Sequence, residues 1–132
     1  MQGESANRQL VRRFYAEAIN ERDLSAVDRL LSEDFVHNGE QRGRDGQRAA
    51  VEVFLQGFSD LRNEILLILG EDDLVAAHQR WRGTNDGPFL GAPATGRPVE
   101  FTSTAVLHVS AGEISEAWDE VDMLALTSQL RG

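Results

Sequence analysis

From Val99 to Ser110 the chain alternates without a slip, with Val99, Phe101, Ser103, Ala105, Leu107 and Val109 on one side and Glu100, Thr102, Thr104, Val106, His108 and Ser110 on the other. A period of two held over that length makes one long strand, and no helix can use it. Ala111-Gly112 turns it into a last strand, which begins at Glu113-Ile-Ser-Glu-Ala-Trp-Asp. Before it, Leu74 to Arg82 reads as a further strand. Earlier still, Ile65-Leu-Leu-Ile-Leu69 reads as a buried strand closed by the acidic turn Gly70-Glu-Asp-Asp73. Residues 83–98 are rich in turn formers and form a loop.

Upstream of these strands the period is helical. Leu10, Phe14 and Ala18 share a stripe over residues 7–20, flanked by Val11 and Tyr15. Asp23 can cap a second helix bearing Leu24, Val27, Leu30 and Leu31. Asp34-Phe-Val-His-Asn38 is short and β-prone, and Gly39, Gly43 and Gly46 then break the chain. Asp45 can cap a third helix whose inner face is Ala50, Val53, Phe54, Gly57 and Phe58. Helices first and antiparallel strands afterwards predict an α+β fold with the helices on one sheet face. No repeat or linker interrupts residues 1–132, so a single domain is expected.

Thirteen basic against twenty-two acidic residues leave a net charge of −9, a field that repels phosphate backbones and anionic membranes. Neither nucleic acid nor a membrane is expected as a partner. The absence of cysteine removes disulfides, thiolate nucleophiles and cysteine-ligated metals. The start, Met-Gln-Gly-Glu-Ser-Ala-Asn-Arg, carries no apolar leader core, so a soluble cytoplasmic protein is expected. His37, His78 and His108 lack metal-ligand spacing, and the glycines of residues 83–96 form no phosphate loop, so no metal or cofactor is expected.

The candidate chemistry lies in the last strand. One parity holds Ile114, Glu116, Trp118 and Glu120, the other Ser115, Ala117, Asp119 and Val121; the pattern alone does not say which faces inward. An aspartate among Ala, Ser and Val is a costly desolvated acid unless it has a partner or a task. The alternative is a solvated Asp119 paired with an arginine. Asp122, of opposite parity, reads as a cap for the closing segment and not as half of a catalytic pair.

Several stretches carry a resemblance: Phe89-Leu-Gly-Ala-Pro-Ala-Thr-Gly-Arg-Pro-Val-Glu-Phe101, the ending Gly112-Glu-Ile with Trp118-Asp119, Asp122 and Gln129-Leu130, and more weakly Asp34–Asn38 and Val11–Tyr15. Over roughly residues 8–130 the chain resembles the SnoaL-like polyketide cyclases, within the superfamily that also holds nuclear transport factor two, ketosteroid isomerase and limonene epoxide hydrolase. The resemblance implies a cone-shaped barrel, a curved antiparallel sheet wrapped around the helices and a deep apolar pocket. It implies a homodimer through the outer sheet face, no cofactor and a small hydrophobic ligand. It turns Asp119 inward as a general acid/base, acting on a carbonyl-bearing, polyketide-like molecule.

The resemblance also implies roles for other residues. His78 and Arg80, sharing a face of the strand Leu74–Arg82, are expected opposite Asp119, stabilising charge on a substrate oxygen. Against this stands a salt bridge at the sheet edge. His37 is expected at the pocket mouth or as a satisfied structural histidine. Phe14, Phe54, Phe58, Phe101, Ala105 and Ala117 are expected to line the pocket, although core packing accounts for the phenylalanines equally. The cyclases place a histidine at the position of Ala105 and many relatives one at that of Ala117, so His78 or His37 would have to supply the imidazole. An epoxide hydrolase or isomerase chemistry and a non-catalytic binding dimer are the alternatives on this scaffold. The former needs an aspartate near Arg80, and none is there.

Overall fold

The computed structural model describes residues 4–132; residues 1–3, which begin the segment read as lacking a leader, lie outside the described residues. Helix α1 (Ala6–Phe14) is capped by Ser5, whose side chain accepts from the Arg8 N–H at 3.3 Å. It runs into a π-helical turn, Tyr15–Asn20, marked by the Glu21 N–H donating to the Ala16 carbonyl at 2.9 Å. The extra residue lets Phe14, Tyr15, Ala18 and Ile19 all face inward. Asn20 anchors the turn, accepting from the Asn63 N–H at 2.8 Å and donating to the Asn63 carbonyl at 3.0 Å.

Helix α2 (Ser25–Leu30) starts where Asp23 Oδ1 accepts from the Ser25 N–H at 3.1 Å. Strand β1 (Leu31–His37) follows at once, so Leu31 belongs to the strand. After the short β2 (Glu40–Gln41) comes α3 (Gly43–Gly57). Asp45 lies inside its first turn, bound by Arg48 at 3.0 Å, and does not cap it. Gly46 is likewise helical, and Val53 faces solvent; Val51 takes the buried position. The strands β3 (Arg62–Glu71), β4 (Leu74–Thr84), β5 (Pro98–Ser110) and β6 (Glu113–Val121) form the meander, and α4 (Met123–Arg131) closes the chain. Asp122 caps α4 as expected, accepting from the Ala125 N–H at 3.0 Å.

The sheet order is β2-β1-β6-β5-β4-β3. All neighbours are antiparallel except β1 and β6, which run parallel, a pairing the meander pattern does not show. The curved sheet stays open, with β2 and β3 at its edges, and wraps the helices with one face. Val99, Phe101, Ser103, Ala105, Leu107 and Val109 are all buried, as their alternation predicts. In β6 a bulge between the pairs His108/Glu116 and Val109/Ile114 turns Ile114 inward with Ala117.

The run Ile65–Leu69 is an edge strand and not a buried one, with Leu67 and Leu69 56% and 58% exposed. A continuous apolar run cannot distinguish a strand covered on both faces from an edge awaiting cover. In the loop after β4, the buried Asn85 donates to the Gly57 and Gly87 carbonyls at 3.1 and 2.9 Å. Its Oδ1 accepts from the Thr95 N–H and Oγ1, each at 2.9 Å, which ties the loop to the end of α3. Gly87 passes so close that a Cβ there would sit 2.0 Å from the Gln56 carbonyl oxygen.

Phe58, expected in the pocket wall, is wholly buried against Phe89, with ring centroids 5.1 Å apart, and does not line the cavity. Phe58→Ala is expected to destabilise the protein by about 3–5 kcal/mol in urea unfolding. A loss below about 1 kcal/mol would show that the site collapses and that Phe58 is not a core anchor.

Candidate functional site

Between the inner sheet face and the helices lies a cavity of about 470 Å³. Phe14 and Tyr15 project into it from the end of α1, Phe54 from α3, Trp81 and Phe101 from β4 and β5, and Leu90 from the loop at its rim. The aromatic wall is continuous. Tyr15 meets Trp81 edge-on at 6.1 Å, and Trp81 stacks on Phe101 at 6.1 Å with planes 3° apart. Ser103 Oγ accepts from the Trp81 indole N–H at 2.8 Å and fixes the ring.

Into this apolar space β6 directs Ala117, Asp119 and Val121, the inward parity that the resemblance implied. Asp119 Oδ2 lies 3.7 Å from His37 Nε2 on β1, whereas Oδ1 is buried and accepts no hydrogen bond from the protein. Such an oxygen has given up water without a partner, an expensive state that points to a ligand. The backbone beneath it is clamped by Asn38. That side chain accepts from the Asp119 N–H at 2.7 Å and donates to the Asp119 carbonyl at 3.0 Å, while the Asn38 N–H donates to the Ala117 carbonyl at 2.9 Å. Asn38 does this at φ 48°, a left-handed conformation that asparagine tolerates better than most residues. On the strand side, Ala105 and Ala77 continue the row from Asp119, so no bulky side chain crowds the carboxylate there.

Tyr15 is the second polar group of interest. Burial, and then the charge of Asp119, push its phenol well above the ordinary tyrosine range, partly offset by the neighbouring Gln79 amide. The amide nitrogen of Gln79 is buried and meets no acceptor in hydrogen-bond geometry, while its oxygen accepts from Asn63 at 2.7 Å.

His37, Phe14, Phe54, Phe101 and Ala117 line the cavity as expected. Ala105 is buried beside Asp119 without lining it. His78 and Arg80 do not face Asp119. Strand β4 buries Val75, Ala77 and Gln79, with Trp81 on the same parity, so the opposite set points outward. Burying two cations would cost more than burying Val, Ala, Trp and one amide bonded to Asn63. His78 instead meets Thr104 Oγ1 at 2.7 Å, and Arg80 pairs with Glu64 at 2.8 Å, the sheet-edge salt bridge weighed above. His108 also faces out, between Ser115 and Asp73 at 2.6 and 2.7 Å. Asn38, Arg42, Gln47, Tyr15 and Trp81 also line the cavity, although the sequence pattern does not mark them as pocket groups. Only the parity of Tyr15 with the buried stripe signalled any of them. Among the described residues no three His, Asp or Glu side chains converge as a metal site, and no helix is long and apolar enough to cross a membrane.

The profile of the SnoaL-like polyketide cyclase family matches residues 9–130. Among solved structures, TsrD from Streptomyces laurentii superposes with a TM-score of 0.88 at 30% identity, each chain covered to 98%. AclR from Streptomyces galilaeus, assigned as a hydroxylase, gives 0.85 at 29% identity, with 95% of each chain covered. IdmH from Streptomyces antibioticus, assigned as a polyketide cyclase, gives 0.84 at 29%, covering 96% of this chain and 99% of its own. A comparison with curated proteins finds no match.

Tyr15 is the single tyrosine of the chain, so its ionisation can be followed directly by phenolate absorbance. A folded-state value raised above the unfolded one, about 10, leaves the folded protein holding the proton longer. Its contribution to stability is therefore complete below pH 10 and is lost as pH rises beyond it. Phenolate absorbance is expected only together with loss of the near-ultraviolet tryptophan signal; a reversible transition near pH 10 in the folded protein would contradict the burial.

Proposed function

Because the chain belongs to the SnoaL-like polyketide cyclase family, we propose that it is an acid/base enzyme whose base is Asp119 and whose substrate is a largely apolar, carbonyl-bearing, polyketide-like molecule. The observation that carries this reading is the unpartnered Oδ1 of Asp119 at an aromatic cavity. A carboxylate oxygen held without a partner at an apolar cavity is placed to take a proton from a carbon between two carbonyls. The electron pair left behind moves into a carbonyl as an enolate. The enolate carbon then attacks a second carbonyl of the same molecule, a carbon–carbon bond forms, and the new alkoxide recovers the proton. The step is redox-neutral and needs no cofactor.

Tyr15 is the donor for the enolate oxygen. Its raised phenol stays protonated at neutral pH and costs no reorganisation when negative charge develops. His37 supplies from β1 the imidazole that Ala105 and Ala117 do not. With Arg80 on the outer face, the Asp-Arg-Asp epoxide-opening arrangement expected around it is not built in the cavity. Addition of water is the second chemistry for this scaffold.

Asp119→Asn is expected to lower kcat by about 10²–10⁴ on a polycyclic aromatic β-keto ester, with parallel loss of deuterium uptake from heavy water at the acidic carbon. Unchanged turnover would remove the base. In oxygen-18 water the cyclised product should stay unlabelled, whereas label in it would favour water addition.

Two copies pair through the outer sheet face in the same reading. Cross-strand register lays Leu69, Ala76, Val106 and Trp118 in one apolar row, and Trp118 is 44% exposed. Exposed apolar surface of this kind marks an interaction face. Sedimentation at micromolar concentration should give twice the 14.6 kDa chain mass, and Leu69→Glu should give monomer. A wild-type monomer would refute the pairing.

A further inference from the structure

Three arginines stand at the start of α3, and two of them are matched by carboxylates. Arg44 bonds Glu113 at 3.1 Å and the Leu31 carbonyl at 3.0 Å, while Arg48 is paired with Asp28 and with Asp45. Arg42, the third, is the only Arg or Lys that lines the cavity. Its one close side-chain bond is to a neutral group, Gln47 Oε1, at 2.9 Å. Its nearest carboxylate is Glu40, 3.9 Å away and 77% exposed, where solvent screening leaves little attraction. The Arg42 side chain is itself only about a quarter exposed. The Arg42 N–H donates to the Phe35 carbonyl at 3.0 Å, which holds this residue against the inward face of β1.

The two carboxylates of the lining, Asp119 and Glu120, both belong to β6, so the cavity presents negative charge from one strand and positive charge from the β2–α3 junction. A cation that lines an apolar cavity without a close anion leaves its charge for a ligand to match. Guanidinium binds a carboxylate through two parallel hydrogen bonds, a match that no neutral oxygen offers. We infer that Arg42 is a specificity-determining residue, the anchor for a carboxylate on the substrate, with Gln47 holding its fork in place. The substrate class is thereby narrowed to apolar, carbonyl-bearing acids. Their ring system lies along Phe14, Phe54 and Trp81, and their acid group is at Arg42. This rests on the reading of the cavity as the substrate site, but not on what Asp119 does there.

Calorimetric titration with 2-naphthoate and with its neutral counterpart 2-naphthamide tests it. The unaltered protein should bind naphthoate more tightly, and raised salt should weaken naphthoate alone. Arg42→Gln should cost naphthoate about tenfold or more and leave naphthamide within about twofold, with Arg42→Lys between them. Equal affinities in the unaltered protein, no naphthoate binding at millimolar concentration, or equal losses of both ligands in Arg42→Gln would overturn the assignment. Because calorimetry does not read turnover, failure here leaves Asp119 untouched, and an inactive role for Asp119 leaves Arg42 in place.

Discussion

The site depends on a short parallel contact. Strands β1 and β6 are far apart in sequence, and where β1 ends the ladder would stop two residues short of Asp119. Asn38 extends it with a side chain, its amide bonding both backbone polar groups of Asp119 as a neighbouring strand would. Each bond is worth on the order of 1 kcal/mol, modest for stability. Orientation is the greater gain, since a carboxylate on a frayed strand end would swing out to water. The same contact brings His37 within 3.7 Å of Asp119, so one pairing assembles the acid, its imidazole neighbour and the pocket mouth.

Around that clamp, polar groups are few and each does one thing. Asn85 and Asn20 satisfy backbone in the loop after β4 and at the edge strand, and Ser103 fixes Trp81. Among the described residues four buried side-chain atoms lack a partner, Arg8 Nε, Ser32 Oγ, Gln79 Nε2 and Asp119 Oδ1, and of these Asp119 Oδ1 alone lines the cavity. Buried polar groups are ordinarily paired, so an unmatched carboxylate oxygen at an apolar hollow is explained by a ligand.

Much of the architecture was legible in the residues. The alternation of Val99–Ser110 set the inner face of β5, the helical stripes placed α1 to α3, and Asp122 announced α4. The parallel pairing of β1 with β6 was not, because five residues around Asp34–Asn38 carry too little pattern to name a distant partner. In β4 both parities mix small and large residues, and the outward face was chosen by likeness to relatives; the cost of burying His78 and Arg80 should have decided it. Arg42 and Gln47 were invisible for a different reason. Nothing in the polar residues of 40–48, interrupted by Gly43 and Gly46, shows which of them lean into a hollow.

The π turn at Tyr15–Asn20 has a consequence for changes of length in the chain. A π turn is an α-helix holding one surplus residue. Removing that surplus residue would close the turn back to an α-helix, and the segment before it would keep its rotation relative to the segment after it. The helix would survive, and only the side chains inside the turn, Tyr15, Ala18 and Ile19, would be re-aimed at the hollow. A one-residue gap or insertion at this point would therefore change what the cavity can hold without threatening the scaffold.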